Sequence, residues 1–287
     1  MCYHICSPIT KENEPQPKNI KDKKMTDTAT QPVTQKAAKA ENIIAIASGK
    51  GGVGKTWFAI TLSHIFARSG RRVLLFDGDI GLANVDVQLG LTPKRDLSSV
   101  FSGQSTMADA ITRYDAGNFD ILAGRSGSTS LSAIPQERLK AVGDALVNLA
   151  GNYDYVIIDL GAGIEQNVQY LTSLASKCVV VINDEPTSLT DAYAFIKLCV
   201  TKPHMPDVHI VVNSAASQKE GEKTYAALTR ACTNFLNITP PCLGIIRKDN
   251  KVKDSIRSQQ SLITKAPHTT AASDAAAISI KLLKHDE

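Results

Sequence analysis

Gly49-Lys50-Gly51-Gly52-Val53-Gly54-Lys55-Thr56 follows an apolar run and fits the pattern G-x-x-x-x-G-K-[ST]. Each residue type in it has a physical task. The glycines let successive backbone N–H groups turn inward and approach phosphate oxygens with no Cβ in the way. Lys55 places a point charge on the β/γ oxygens, and Thr56 offers a hydroxyl to Mg²⁺. Such a loop needs a strand before it and a helix after it. Ile43-Ile44-Ala45-Ile46-Ala47 is a short apolar run suited to a buried parallel strand. Over 57–68, apolar residues recur at helical spacing (Phe58, Leu62, Ile65, Phe66), and Ser69-Gly70 ends the pattern. The helix starts at the phosphates, where its N–H groups and dipole favour negative charge. A chance glycine-rich turn would lack both flanks.

Two further segments supply acids. Arg72-Val73-Leu74-Leu75-Phe76 reads as a strand that delivers Asp77-Gly78-Asp79 at its carboxyl end. Tyr155-Val156-Ile157-Ile158-Asp159 reads as another buried strand ending in an acid. Ligands in open α/β sheets gather at the carboxyl ends of strands. Three carboxylates arriving there beside a phosphate loop point to metal and water handling. Asp159 fits the acid that holds Mg²⁺ through water. Asp77 and Asp79 divide between an outer Mg²⁺ group and a residue orienting the attacking water; the competing reading is that either one caps the next helix or turn.

At 287 residues the chain is long enough for one well-buried α/β domain plus a tail, or for two small domains. Strand-like and helix-like stretches alternate from Ile43 to about Ser258, with further strands expected at 119–122, 178–182, 208–212 and 242–246. Helical patterns occupy 136–150, 188–200 and 221–235. The expected fold is α/β: a mostly parallel, doubly wound P-loop NTPase sheet with helices on both faces. Residues 1–41 are rich in Lys, Thr, Gln and Pro and poor in large apolar residues, so disorder is expected there. Met25 is a candidate start that would leave 1–24 untranslated. The division expected is a tail at 1–41, an ATPase domain at 42–267 and a C-terminal helix or tail at 268–287. The six cysteines form no C-x-x-C pair and the six histidines show no metal-ligand spacing, which favours incidental thiols in a reducing compartment. No stretch is apolar enough to span a bilayer, and a net charge of +4 does not by itself imply nucleic acid.

With these residues assembled, the chain resembles the deviant-Walker ATPases of the MinD/ParA type, and within them the FlhG (FleN) group of flagellar-number regulators. The text that carries the resemblance is Lys50, then Asp77-Gly78-Asp79-Ile80-Gly81-Leu82-Ala83-Asn84-Val85-Asp86, then Asp159-Leu160-Gly161-Ala162-Gly163-Ile164. It continues with Asp184-Glu185-Pro186-Thr187-Ser188-Leu189-Thr190-Asp191-Ala192-Tyr193-Ala194, the most discriminating of these stretches. The resemblance implies ATP and Mg²⁺ as cofactors. It implies that Gly49 to Thr56, with Trp57 behind them, hold the nucleotide, and that Thr56, Asp77 and Asp159 serve the metal. Lys50, Lys55 and Asp79 would be catalytic, with Asp79 positioning the lytic water. Lys50 would reach the phosphates of a second subunit, a cation supplied in trans against transition-state charge. Asn213 matches a position that reads the adenine edge, and Arg247-Lys248-Asp249 stand where relatives often carry a proline beside the base.

The resemblance further implies an ATP-dependent homodimer with slow hydrolysis, controlling flagellar number or placement. The partner expected is a flagellar protein such as an FlhF-like GTPase or an export or switch component. The place expected is the cytoplasm, peripherally on the inner face of the membrane or at a cell pole. The tail lacks the DQAxxLR-like segment by which relatives activate that GTPase, so GTPase activation is unsupported. The end of the chain offers only Ile278, Ile280, Leu282 and Leu283 as large apolar residues, so membrane contact there would be weak, and a helix packed on the domain or fraying from it is the preferred reading. The alternatives are a MinD-like septum-site ATPase and a ParA-like partition ATPase that binds DNA. For the latter, Arg247, Lys248, Lys251, Lys253, Arg257 and Lys265 form a basic stretch, but Asp249 and Asp254 interleave it as in a solvated face.

Overall fold

Strands that are apolar along nearly their whole length form the centre of the molecule. The computed structural model describes residues 40–79, 81–124 and 135–284. All but the last two positions of the tail expected to be disordered lie outside the described residues. The chain runs β1 (Ile43–Ala47), α1 (Lys55–Arg68), β2 (Val73–Gly78), α2 (Val85–Leu89), α3 (Leu97–Phe101), a 3-10 turn (Ala108–Ala110), β3 (Ile111–Tyr114) and β4 (Phe119–Leu122). It continues through α4 (Gln136–Ala150), β5 (Tyr155–Leu160), α5 (Gln166–Ser173), β6 (Lys177–Ile182), α6 (Pro186–Thr201), β7 (Asp207–Ala215), α7 (Gln218–Leu236), β8 (Cys242–Arg247), α8 (Asn250–Arg257), α9 (Leu262–Lys265) and α10 (Thr270–Lys284).

The described strands make one sheet in the order β3-β4-β2-β5-β1-β6-β7-β8. Every neighbouring pair is parallel except the antiparallel pair β3–β4. β1 lies inside, between β5 and β6, so the loop that leaves it opens at the middle of the sheet. Successive side chains of a strand point to opposite faces. Ile43, Ala45 and Ala47 join a layer with α3 to α7 through Leu97, Leu146, Val168, Phe195 and Leu228. Ile44 and Ile46 join the other layer, formed with α1, α2, α9 and α10 through Phe58, Leu62, Val85, Leu262 and Ile278. Both faces are covered, which is why these strands read as continuous apolar runs rather than alternating ones.

The structure departs from the sequence expectations in several places. β3 is an additional strand; its Arg113 is exposed and its pattern is mixed, as suits the edge of a sheet. β2 runs through Gly78 instead of stopping at Phe76, so Asp77 belongs to the ladder itself. The C-terminal helix lies on the domain: α10 packs on α1 and β8 and sends Ala271, Ala272, Ala275, Ile278 and Leu282 into the core. Of its large apolar residues, only Ile280 is exposed. No helix of the described residues is long and apolar enough to cross a membrane.

Candidate nucleotide site

Strand register brings the acids together. Asp77 on β2 stands directly beside Asp159 on β5, and Asp159 in turn stands beside Ile46 on β1. β1 ends at Ala47 and the phosphate loop begins two residues later at Gly49, so it opens next to both carboxylates. Gly52 and Gly54 hold left-handed backbone, with φ of 80° and 97°, which side-chain-bearing residues adopt only with strain. Gly54 is the N-cap of α1, so the first-turn N–H groups of that helix face the loop. Gly49 is glycine for a different reason: a Cβ there would overlap the backbone of Asp191 and Ala192 on α6.

A cleft of about 680 Å³ lies over this arrangement. Gly51, Gly52, Gly54, Lys55, Thr56 and Asp79 all line it. So do residues that the motif alone does not announce: Asn84, Gln88, Glu165, Asn167 and Ile256. Leu82 also lines it and is 73% exposed, a large apolar side chain standing open at its mouth. Ile164, close by in sequence to the lining residues Gly161 and Ala162, is exposed as well. Asp79 faces Gly161, where a Cβ would come within 3.4 Å of its carboxylate.

The two buried acids are handled differently. Asp77 is fully buried and accepts backbone hydrogen bonds from Asp79 (3.2 Å), Asn84 (3.2 Å) and Val85 (3.1 Å). The last two hold the start of α2, so the capping role weighed as the competing reading is present in Asp77. Burial nonetheless raises its pKa well above the usual carboxylate range, and the charge of Asp159 raises it further. Asp159 is 1% exposed, and neither of its carboxylate oxygens has a hydrogen-bond partner of good geometry. Burial pushes its pKa up to about 6, against the opposing effect of Lys55 and the Thr56 hydroxyl nearby. A buried carboxylate left unsatisfied is costly, and a cation would remove the cost. Asp159, with the Thr56 hydroxyl, therefore fits a hydrated Mg²⁺. Among the described residues no group of three or more His, Cys, Asp or Glu side chains could hold a metal ion alone. Phosphate oxygens and water would have to complete the shell, as Mg²⁺ commonly requires.

Other expected site residues are placed as follows. Lys55 is buried at the start of α1. Trp57 lines the cleft, but it is 4% exposed, its indole N–H has no partner, and its ring belongs to the apolar layer below. Asn213 lies on β7 beneath the loop, where its amide donates to the Val53 carbonyl at 2.7 Å and blocks any Cβ at Gly54. Arg247 is held by Asp274 of α10 through its backbone N–H (2.9 Å), Nε (3.0 Å) and Nη2 (2.6 Å). Neither Asn213 nor Arg247 is among the residues lining the cleft. In the basic stretch, Arg247 and Lys251 are paired with Asp274 and Asp254. Lys50 is partly exposed, and its ammonium donates to Glu185 Oε2 and to Thr187 Oγ1 (2.8 Å) at the start of α6.

The model of the CobQ/CobB/MinD/ParA nucleotide-binding domain matches residues 44–263, which contain the loop, the three aspartates and Lys50. The chain belongs to this MinD/ParA family. It is 36% identical over 230 residues to the antiactivator FleN of Pseudomonas aeruginosa, covering 80% of this chain and 82% of that one. It is 33% identical over 228 residues to the flagellum site-determining protein YlxH of Helicobacter pylori, covering 78% and 76%. Among solved structures, it is similar to the septum site-determining protein MinD of Pyrococcus horikoshii complexed with Mg-ADP. That likeness has a TM-score of 0.72 at 23% identity and covers 86% of this chain and 98% of that one. It is also similar to the MinC:MinD complex of Aquifex aeolicus, with a TM-score of 0.69 at 27% identity, covering 85% and 96%. The MinD/ParA architecture accounts for the central loop, the flanking acids and the parallel sheet alike.

Proposed function

We propose that this chain is a Mg²⁺-dependent ATPase switch that dimerises on ATP, hydrolyses it slowly and thereby resets. The observation that carries the reading is Lys50. An otherwise complete phosphate loop already has its lysine in Lys55, which is buried in the site, whereas the Lys50 ammonium stands at the protein surface. A second cation placed there has its natural target on a neighbouring molecule's phosphates. The exposed Leu82 and Ile164 beside the same cleft supply apolar area that a second subunit would cover.

In this reading the loop N–H groups and Lys55 hold the phosphates, and Asp79 accepts a hydrogen bond from the attacking water and sets its line of approach. Bound Mg²⁺ would neutralise charge on the β- and γ-phosphate oxygens. Asp159, with the Thr56 hydroxyl, would hold that ion, while Asp77 fixes the start of α2 and with it the segment that carries Asp79. Lys50 of each subunit offsets charge on the other's nucleotide.

The cellular output we infer is control of flagellar number or placement, supported by the FleN and YlxH relatives. Its partner is a flagellar protein such as an FlhF-like GTPase or an export or switch component, met in the cytoplasm, at the inner face of the membrane or at a pole. The experiment is a comparison of molar mass in solution with ATP and with ADP for wild type, Lys50→Ala and Asp79→Ala. Wild type should become a dimer with ATP only, Asp79→Ala should remain one, and Lys50→Ala should stay monomeric. A wild type that stays monomeric in saturating ATP, with no dimer trapped by Asp79→Ala, sinks the switch. Cells lacking the chain should show altered flagellar number or position, and unchanged flagella would remove the flagellar reading alone.

A further inference from the structure

Two helices end back to back beside the nucleotide cleft, in the same way but with different residues. α2 closes with the N–H of Gly90 donating to the Val87 carbonyl and that of Leu91 to Asp86, around a left-handed Gly90 (φ 65°). α8 closes with the N–H of Gln259 donating to the Ile256 carbonyl and that of Gln260 to Ser255, around a left-handed Gln259 (φ 54°). This pair of bonds is the helix stop that ordinarily centres on glycine. Position 90 follows that rule. Gln259 breaks it, because a residue with a Cβ holds left-handed backbone only with strain.

The Gln259 side chain shows what the strain serves. It lies so close to Gly90 that a Cβ there would come within 3.0 Å of the Gln259 Cβ, and its Nε2 donates to the Val87 carbonyl at 3.3 Å. Val87 is in the last turn of α2, where carbonyls lack partners within the helix. A glycine at 259 would end α8 equally well and leave α2 without this cap. α2 has only five residues, too few to hold itself. Asp77 fixes its first turn through Asn84 and Val85, and Gln259 fixes its last. The cleft wall depends on both helices: Gln88 comes from α2, Ile256 from α8, and Asp79, Leu82 and Asn84 from the segment leading into α2.

We propose that Gln259 is a positioning residue of the ATPase site: by holding the far end of α2 it fixes the segment that carries Asp79 over the phosphate loop. The inference rests on the reading of Asp79 as the group that orients the attacking water. Asp77 anchors α2 at one end, and a short rod held at one end can swing. The anchor on α8 removes that swing, and with it the drift of Asp79 relative to the loop. Water competes for the exposed Gln259 amide, so the contact adds little to stability. What it supplies is alignment, and misplacing a reacting group by about 1 Å can cost about 10²-fold in rate.

The test measures steady-state phosphate release, ADP affinity and melting temperature for the full chain. Trp57, the sole tryptophan and a residue lining the cleft, reports nucleotide binding by its fluorescence. Gln259→Gly relieves the backbone and removes the side chain, so the two effects separate. Its melting temperature should match or exceed that of wild type, while kcat falls by about three- to thirtyfold. Its affinity for ADP, which the loop and Lys55 supply, should stay unchanged. Gln259→Lys keeps a long donor toward the last carbonyls of α2 and should restore most of kcat. A wild-type kcat in Gln259→Gly overturns the positioning role and leaves the ATPase intact. So does a loss of kcat that comes with a lower melting temperature and that Gln259→Lys does not repair. A wild type that releases no phosphate sinks the ATPase, and the positioning role with it.

Discussion

Two charged clusters flank the phosphate loop, and they are opposites. On one side Asp77 and Asp159 sit side by side in adjacent strands, both buried, with their pKa values raised and Asp159 without a hydrogen-bond partner of good geometry. On the other side Lys50, Glu185 and Thr187 are partly exposed and satisfied within one chain, and Lys50 holds the Glu185 carboxyl below its usual range. The buried cluster is incomplete until something positive arrives. The exposed cluster is satisfied as it stands, by contacts within one chain. The difference is one of burial: Asp159 has lost its water and gained no partner of good geometry in exchange, whereas the second cluster keeps both water and partners.

The largest break in this contrast comes from the residue that serves the buried side. Lys55→Ala removes the cation beside Asp159 as well as the phosphate contact. Phosphate release should fall by about 10²–10³-fold, the usual cost of a lost electrostatic stabiliser. Retained turnover would mean that Lys55 is not the catalytic lysine of the loop. Next in size is Gly49→Ala, which strikes the joint between the loop and α6. The added methyl meets the Asp191 and Ala192 backbone, which cannot turn aside as a side chain would. Such overpacking costs about 1–3 kcal/mol, to be seen as a lower melting temperature; an unchanged melt would show that the loop and α6 are not rigidly joined.

The buried cluster can be probed without nucleotide. Asp159→Asn, in EDTA, should stabilise the chain at neutral pH, by about 3 kcal/mol at most. The pH dependence has a definite sign. In the folded chain the Asp159 carboxyl keeps its proton up to about pH 6, whereas its ordinary pKa is 3.8. The folded state thus binds more protons between these values, so wild-type stability should fall as pH rises from about 4 to 6 and level off above. Asp77 is shifted the same way, so its contribution has the same sign. Urea titrations across this range should show a shallower profile in Asp159→Asn; a wild type that grows more stable over the same interval would show that the acid is already neutralised by the protein.

How much of this is legible in the chain alone depends on the range of each cause. The phosphate loop, its strand and its helix are local, and the apolar runs announce seven of the described strands because burial on both faces leaves no polar alternation to confuse them. β3 escapes because Thr112 and Arg113 sit at a half-exposed edge. The helices α2, α3 and α9, with five, five and four residues, are too short for a helical period to show. In α10, Ala271, Ala272 and Ala275 carry much of the packing, and alanines give a weak apolar signal even where they are fully buried. Asp77 as a cap for Asn84 and Val85 was open to inference from its position before a turn, though not its simultaneous place in the ladder. The contact of Lys50 with Glu185 joins residues far apart in sequence, and only the packing of α6 against the loop brings them together.

The smallest expected effect separates the two clusters most sharply. Lys50→Ala leaves the buried acids untouched and removes an ion pair whose partners are 37% and 53% exposed. Exposed pairs contribute little because water and salt screen them and two long side chains must be held still. The melting temperature of the nucleotide-free chain should therefore stay within about 2 °C of wild type. The Asp159→Asn chain should differ by more under the same conditions. If Lys50→Ala instead melts far below wild type, Lys50 is a structural pin between the loop and α6, and a residue so tightly built in could not cross to a neighbouring subunit. If it melts like wild type while the ATP dimer is lost, the same side chain has been shown dispensable to one molecule and necessary to two.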